Sequence, residues 1–183
     1  NTSESTQAIT VTTTGDYWVV VTDTNSCVGT DTVSVTINPL PIVVLSGLDT
    51  ICAGDNTLLT GSSGGTSQWY FNGVAISGAT SSTYLASQAG VYNMIKTNAN
   101  GCADSSAVGI ELVVNNLPVV TLTGNDTICS GDSTLLTGSS GGTSQWYFNG
   151  SQVSGATTAA LYASQAGIYN MIKTNSNGCF DSS

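Results

Sequence analysis

The chain has 183 residues, a formal net charge of −9 and only two basic side chains, Lys96 and Lys173, with neither arginine nor histidine. This composition excludes the electrostatic footprint of a nucleic-acid or anionic-membrane binder, and it lacks the histidine that Ser-His and Cys-His enzymes and many metal sites require. No apolar run is long enough to span a bilayer, so we predict a protein that is not an enzyme, is not inserted in a membrane and binds no nucleic acid.

The chain is built from an internal repeat. Residues 41–106 align with residues 118–183 without a gap, and about three quarters of the aligned positions are identical. The first 38 residues match the second half of the same repeat. The predicted units are therefore the C-terminal half of a repeat (1–38), a complete repeat (39–115) and a repeat that lacks its last strand (116–183).

Short runs of alternating apolar and polar residues, separated by Gly, Asn and Ser, predict β-strands throughout the chain. Asn72-Gly73 and Asn100-Gly101 favour hairpin turns, because Asn-Gly accepts the positive φ angles that type I′ turns need. No segment shows a sustained helical period, so the fold class is all-β. In the complete repeat we predict strands near 42–46, 57–61, 66–71, 74–77, 83–87, 91–97 and 107–114.

Two aromatic positions in each repeat favour an immunoglobulin-like β-sandwich. Trp69 lies in the middle of a predicted strand, where such folds bury a tryptophan. Tyr92 follows Gly90 at the start of the penultimate strand, which is the place of a tyrosine corner. Trp146 and Tyr169 occupy the same positions in the next unit. We predict that these four aromatic side chains form the cores of two sandwiches.

The chain also resembles a known group of proteins. The segments TICSGDSTLLTGSSGGTSQWYFNG (127–150) and AGIYNMIKTNSNGC (166–179) resemble the tandem Ig-like and PKD-like repeats of large secreted surface proteins of Bacteroidota. Residues 5–37 are similar to a sister repeat of the same proteins. The resemblance implies tandem immunoglobulin-like β-sandwich domains, as beads on a string or a filament. It also implies export, often by the type IX pathway, and a role as an adhesin stalk, a gliding-related surface protein or an extracellular fibre.

The five cysteines follow the repeat. We favour disulfides within each unit, Cys52–Cys102 and Cys129–Cys179, which indicates an oxidising compartment. Cys27 matches the second member of each pair, so its partner is expected to lie outside the chain. The alternative is an inter-domain bond between Cys52 and Cys179, because head-to-tail stacking brings the first cysteine of one unit near the second cysteine of the next.

Lys96 and Lys173 occupy equivalent places in the two repeats, each on the same strand face as the tyrosine four residues before it, Tyr92 or Tyr169. We expect the lysine stem to pack while its ammonium group reaches water or an acid. The alternative is an isopeptide cross-link between the lysine and an Asn or Asp side chain.

The opposite face of that strand carries apolar residues in all three units. These are Ile95 and Ile172, with Trp18 and Val20 in the first unit. They predict lateral contacts with another chain. The alternative is ordinary scattered surface apolarity.

Aspartates recur near the cysteines, and we interpret them as turn-forming and solubilising residues, so no cofactor is expected. The alternative is Ca²⁺ bound at the domain junctions, although the sequence has no calcium-loop pattern. The residues concerned are Asp49, Asp55, Asp104, Asp126, Asp132 and Asp181.

Together these features predict a structural subunit of an extracellular filament or cell-surface stalk, whose partners are further copies in a homopolymer or in lateral contact. The alternative is an adhesin module that binds glycans or another cell surface through exposed Tyr70 or Trp18. Between repeats the segment 74–85 changes while the framework is retained, which favours a spacer over a repeated ligand site.

Overall fold

The computed structural model describes residues 5–183, and every regular element in that range is a β-strand. Residues 1–4 of the predicted first unit lie outside the described residues. Gly15–Thr22 (β1) and Val28–Val35 (β2) form an antiparallel hairpin in which Tyr17 lies opposite Val33. Within residues 5–183 this hairpin pairs with no further strand, and most of its valines are exposed.

Within residues 5–183 no helix is present that could cross a membrane.

The complete repeat folds into an immunoglobulin-like sandwich of two sheets. One sheet has the order β3-β5-β8, and the other has the order β4-β11-β9-β6-β7 with β10 added on β9. All pairs are antiparallel except β4 with β11, which is parallel. The strands are Leu45–Ser46 (β3), Thr50–Cys52 (β4), Thr57–Gly61 (β5), Thr66–Phe71 (β6), Val74–Ala75 (β7), Thr83–Ala86 (β8), Gly90–Thr97 (β9), Ala103–Ser105 (β10) and Ile110–Asn115 (β11).

The core lies between these two sheets because alternate residues of each strand point inward. Along β9 every second residue from Tyr92 to Lys96 is buried. Trp69 is fully buried, and its indole Nε1 donates a hydrogen bond to the carbonyl oxygen of Ser81 at 3.0 Å. The Tyr92 hydroxyl donates to the carbonyl oxygen of Gln88 at 3.0 Å, which is the tyrosine-corner geometry. The buried core consists of Ile51, Leu59, Trp69, Ala86, Tyr92, Met94 and Leu112.

The strands predicted near 42–46 and 74–77 are shorter, at Leu45–Ser46 and Val74–Ala75, and two further features differ from the prediction. Strand β4 was not predicted, because its three residues are too few to show a period and are held by tertiary pairing with β11. The predicted strand 107–114 begins later, and a separate strand, β10, precedes it. The chain turns between them, where Ser106 exchanges hydrogen bonds with the backbone of Met94.

The following unit has a similar arrangement in two sheets, β12-β13-β16 and β15-β14-β17-β18, without equivalents of β4 and β11 within residues 5–183. Trp146 is fully buried, and its Nε1 donates to the carbonyl oxygen of Thr158 at 3.0 Å, as in the preceding unit. Tyr169 is only half-buried. The strands are Leu122–Thr123 (β12), Thr134–Gly138 (β13), Thr143–Phe148 (β14), Ser151–Gln152 (β15), Ala160–Ala163 (β16), Tyr169–Thr174 (β17) and Phe180–Ser182 (β18).

We predict that Tyr92→Phe lowers the free energy of unfolding at pH 7 by about 1 kcal/mol, because the hydrogen bond to Gln88 is lost. Burial raises the pKa of the Tyr92 phenol above its ordinary value of 10.0. As the pH rises past 10, the unfolded phenol therefore ionises first, and the contribution of the tyrosine to stability is lost. The difference in the free energy of unfolding between parent and variant is therefore expected to become smaller above pH 10.

Urea unfolding at pH 7 and at a pH above 10 measures the free energy of unfolding of parent and variant. Tyr70→Phe is the matched control, since the Tyr70 hydroxyl makes no hydrogen bond within residues 5–183. Equal stability of parent and Tyr92→Phe at pH 7 would contradict the prediction.

Candidate functional site

The structure joins Cys52 to Cys179, with 5.6 Å between their Cα atoms. The favoured pairs Cys52–Cys102 and Cys129–Cys179 are therefore wrong, and the bond is the inter-domain alternative. Within residues 5–183, Cys27, Cys102 and Cys129 are free.

The pairs within a unit do not form because the two cysteines of one unit lie at opposite ends of the sandwich. Strand β4 ends at Cys52, which lies beside Asn115, the last residue of β11. The amide of Ala53 also donates to the carbonyl oxygen of Asn115 at 2.8 Å. Cys102 lies instead at the entrance to the unit, with its Sγ 3.9 Å from the carbonyl oxygen of Asn38. A bond within the unit would have to cross the length of the sandwich.

Asn175 builds the other half of the junction. Its side-chain Oδ1 accepts hydrogen bonds from the amides of Asn177 and Cys179, both at 3.0 Å, which fixes the turn that carries the cysteine. Its Nδ2 donates to the carbonyl oxygen of Asn116 at 2.8 Å, so the same side chain holds the linker between the units. Cys179 is fully buried at this contact, with its Sγ 3.9 Å from the carbonyl oxygen of Asn115.

The junction before the complete repeat has the same contacts. Asn98 Oδ1 accepts from the amides of Asn100 at 3.0 Å and Cys102 at 3.1 Å. Asn98 Nδ2 donates to the carbonyl oxygen of Pro39 at 2.8 Å. Both linkers are thus held by one asparagine of the unit that follows them. We refer to this arrangement of linker, asparagine and cysteine as the unit junction.

The role of these two asparagines was missed in the sequence, although a signal was present. An asparagine precedes the cysteine by four residues in both repeats, as Asn98 before Cys102 and Asn175 before Cys179. In the first hairpin Asp23 stands in that place and accepts from the amides of Asn25 and Cys27 at 2.8 Å. An aspartate can cap the turn but has no amide with which to hold a linker.

The two lysines are buried, each 2% exposed, so the expectation that their ammonium groups reach water is wrong. Lys96 Nζ donates to the carbonyl oxygen of Ser62 at 2.6 Å and to the hydroxyl of Ser67 at 3.1 Å. Lys173 makes the equivalent bonds to Ser139 and Ser144. The amines therefore contact serine oxygens and no Asn or Asp side chain of residues 5–183, which does not support an isopeptide cross-link.

The four residues predicted to make lateral contacts fall into two groups. Trp18 and Val20 are exposed on the uncovered hairpin, with 53% of the Trp18 surface accessible. Ile95 and Ile172 are half-buried, because each lies opposite residues of strands on both sides, as in the pairing of Ile95 with Gln68 and Ser105. Of the four residues only Trp18 and Val20 are therefore fully available at the surface, and lateral contact stays a prediction.

The six aspartates near the cysteines are exposed, and four of them accept a hydrogen bond from the next residue. Asp49 accepts from the hydroxyl of Thr50, and Asp104 accepts from the amide of Ser105. Asp126 and Asp181 make the equivalent bonds in the next unit. The described part of the chain holds no group of three or more metal-ligating side chains. Calcium at the junctions stays a prediction.

No protein family model matches the sequence, and no curated protein matches it. Solved structures with a similar fold include a 1.5-MDa bacterial ice-binding adhesin, from work on host cell surface retention (13% identity, 91% of this chain and 70% of that chain, TM-score 0.40). They also include murine CEACAM1b, with 18% identity, 76% of this chain and 95% of that chain covered, and a TM-score of 0.36. A third is the ligand-binding domain of human OSCAR, with 16% identity, 81% of this chain and 96% of that chain covered, and a TM-score of 0.33. At these TM-scores none of them bears on function.

The two lysines allow a direct test of the disulfide. Trypsin cuts the denatured chain after Lys96 and Lys173, which gives the peptides 1–96, 97–173 and 174–183. If free thiols are first blocked by alkylation without reduction, we expect peptide 1–96 bonded to peptide 174–183. Peptide 97–173 is expected free, with two alkylated cysteines, because it contains only Cys102 and Cys129.

Mass spectrometry of the digest before and after reduction identifies which peptides are joined by a disulfide. Bonds from peptide 97–173 to both of the other peptides would show pairing within each unit and would contradict the structure.

Proposed function

We propose that the chain is a structural segment of an extracellular filament or cell-surface stalk, built from the units 1–38, 39–115 and 116–183. The observation that carries the proposal is the bond between Cys52 and Cys179, which joins successive units instead of closing one of them. A disulfide that persists in the mature protein also indicates an oxidising, extracellular compartment.

The position of this bond gives the chain a mechanical property. Force that enters at one terminus reaches Cys52, crosses the disulfide to Cys179 and leaves at the other terminus. The intervening residues, which include most of both sandwiches, are out of the load path. Their sequence separation is 127 residues. At roughly 3.5 Å per extended residue, about 450 Å of chain cannot be drawn out while the bond is intact.

The repeated junction contacts support the same function. Asn98 and Asn175 each hold the preceding linker through a hydrogen bond of 2.8 Å. The linkers are short and contain proline, and they lack a flexible Gly/Ser run. Because both junctions have equivalent contacts, each added unit repeats the same relation to its predecessor, which is how repeat proteins form regular extended assemblies.

The surface of the chain suits exposure to foreign proteases. Both lysines are buried in sheet strands, so the folded chain presents neither of its tryptic sites. All Asp and Glu side chains within residues 5–183 are exposed, so the surface carries only negative formal charge apart from the termini.

An adhesin module is the second candidate, and the exposed Trp18 favours it, because an accessible indole is a surface on which a sugar ring can stack. The segment that varies between the repeats argues against a ligand site in the sandwiches. Val74–Ala75 is replaced by Ser151–Gln152, and both pairs form short exposed edge strands.

Electron imaging of the native assembly, with and without reductant, tests the proposal. We expect ordered rods or filaments with an axial repeat of one or a few sandwich lengths, about 30–40 Å each by strand rise. Reduction is expected to loosen the order because the unit junction loses its covalent bond.

Compact isolated particles that are unchanged by reductant would contradict a structural function. Saturable binding on a glycan array, abolished by Trp18→Ala, would favour the adhesin module instead.

A further inference from the structure

Each lysine is buried at a place where the fold also accepts an apolar side chain. Lys173 lies on the inward face of β17, two residues after Met171, and it is 2% exposed. Val21 stands at the equivalent place in the first unit. Burial of an ammonium group costs free energy unless hydrogen bonds inside the protein replace those to water. A lysine at this place in both repeats therefore points to a contact that only its amine makes.

The amine of Lys173 holds the loop that follows β13. Its Nζ donates to the carbonyl oxygen of Ser139 at 2.6 Å. Ser139 is the first residue of the loop 139–142, directly after the strand. At the other end of the loop, Gly142 packs so closely on Thr174 that an added Cβ would lie 2.2 Å from its carbonyl oxygen. The loop is thus fixed against the strand that carries the lysine.

Ser139 in turn bonds the segment by which the chain enters the unit. Its hydroxyl donates to the carbonyl oxygen of Val119 at 2.8 Å and accepts from the amide of Thr121 at 3.4 Å. Its own amide donates to the carbonyl oxygen of Thr121 at 2.9 Å. Three hydrogen bonds therefore join this serine to the residues that directly follow the linker.

The linker is held at two places that depend on the same strand. Asn175, two residues after the lysine, donates to the carbonyl oxygen of Asn116 at 2.8 Å. The serine holds the chain again from Val119 onward. Only Leu117 and Pro118 lie between these two places. Two residues span at most about 7 Å, and the proline ring fixes one of their φ angles. The linker therefore has little freedom.

The same contacts are present one unit earlier. Lys96 Nζ donates to the carbonyl oxygen of Ser62 at 2.6 Å. The Ser62 hydroxyl donates to the carbonyl oxygen of Ile42 at 2.8 Å and accepts from the amide of Val44 at 3.4 Å. Again only a Leu-Pro pair, 40–41, separates this segment from the linker residue that the asparagine holds.

The lysine and the asparagine occur together. Both repeats contain Lys-Thr-Asn, at 96–98 and at 173–175. In the first unit both are replaced, by Val21 and Asp23. Neither a valine nor an ionised aspartate donates a side-chain hydrogen bond. The joint replacement indicates that the two donors act on the linker as one arrangement.

We propose that Lys96 and Lys173 are positioning residues that set the orientation of each unit relative to the unit before it. The ammonium group fixes the serine, and the serine fixes the segment that follows the linker. Each lysine thus acts on the linker from inside the sandwich without touching it. This inference rests on the proposed structural function, because a fixed orientation between units is what a regular extended array requires.

Hydrogen exchange in Lys173→Met tests the first step, since methionine is unbranched and has no amine. The amides of Ser139 and Thr121 are expected to exchange about tenfold faster, because a hydrogen bond from a charged donor is lost beside them. The amide of Trp146, bonded to the carbonyl oxygen of Ala156 at 3.0 Å, is expected to keep its rate. General destabilisation of the unit would accelerate all three amides.

Lys96→Met is the matched control, because it makes the same change at the equivalent place in the other repeat. It is expected to accelerate exchange at the amides of Ser62 and Val44, and to leave those of Ser139 and Thr121 unchanged. The other variant should give the reverse pattern. Two-dimensional NMR resolves the individual amides.

The orientation itself is measured by the distance between two spin labels in the full chain. Ser77→Cys and Ser154→Cys place them in equivalent exposed turns of the two sandwiches. All five native cysteines are replaced by serine, so that only non-covalent contacts hold the junction. Pulsed electron paramagnetic resonance then gives the distribution of distances between the units.

Lys173→Met is expected to broaden this distribution. Release of residues 119–121 lengthens the unheld linker from two residues to five, so its reach grows from about 7 Å to about 17 Å. The distribution should therefore widen by up to about 10 Å. Lys96→Met should leave it unchanged. If Lys173→Met does not fold, Ser139→Ala removes the hydroxyl that holds the segment, keeps the lysine and its carbonyl acceptor, and should give the same broadening.

An unchanged distribution in Ser139→Ala, or in a folded Lys173→Met, overturns the inference. Equal acceleration of exchange throughout the unit also overturns it, because the lysine would then stabilise the sandwich without acting on the linker. The proposed function is judged separately, by imaging of the native assembly. Ordered rods would show that a structural function stands without a positioning role for the lysines.

Discussion

The parallel pairing of β4 with β11 is the constraint on which the rest of the structure depends. It carries Cys52 to the exit of its own sandwich, beside Asn115, where the next unit begins. The turn held by Asn175 brings Cys179 to the same place from the other side. The disulfide can therefore form only between units, and it makes two small sandwiches one covalent body along the line of the chain.

The comparison of the two repeats shows how much of a unit depends on its last strand. About three quarters of their sequence is the same, and both bury a tryptophan completely. The unit with β11 buries Tyr92 and Ile51, while the unit without an equivalent strand leaves Tyr169 and Ile128 partly open. The absence of this strand therefore increases exposure at the edge of the sandwich, while the tryptophan at its centre stays buried.

Alternation, turn residues and the Trp and Tyr positions were sufficient to predict an all-β, immunoglobulin-like fold, since these signals are local. What the sequence did not yield depends on contacts between distant residues. Strand β4 has three residues and exists only because β11 lies beside it. The choice among cysteine pairings followed from which end of the sandwich each cysteine occupies. The burial of Lys96 was missed because two serine oxygens, distant in sequence, hold its ammonium group inside.

Single-molecule force–extension tests the central claim, that load passes from unit to unit through Cys52 and Cys179. The chain is held by tags at its two termini and stretched to full extension. The parent and the double variant Cys52→Ser/Cys179→Ser should differ in final length by about 450 Å, with the parent shorter. Pairing within the units would instead give a difference of about 350 Å, since two loops of 50 residues would open. Either that value or equal final lengths would contradict the account.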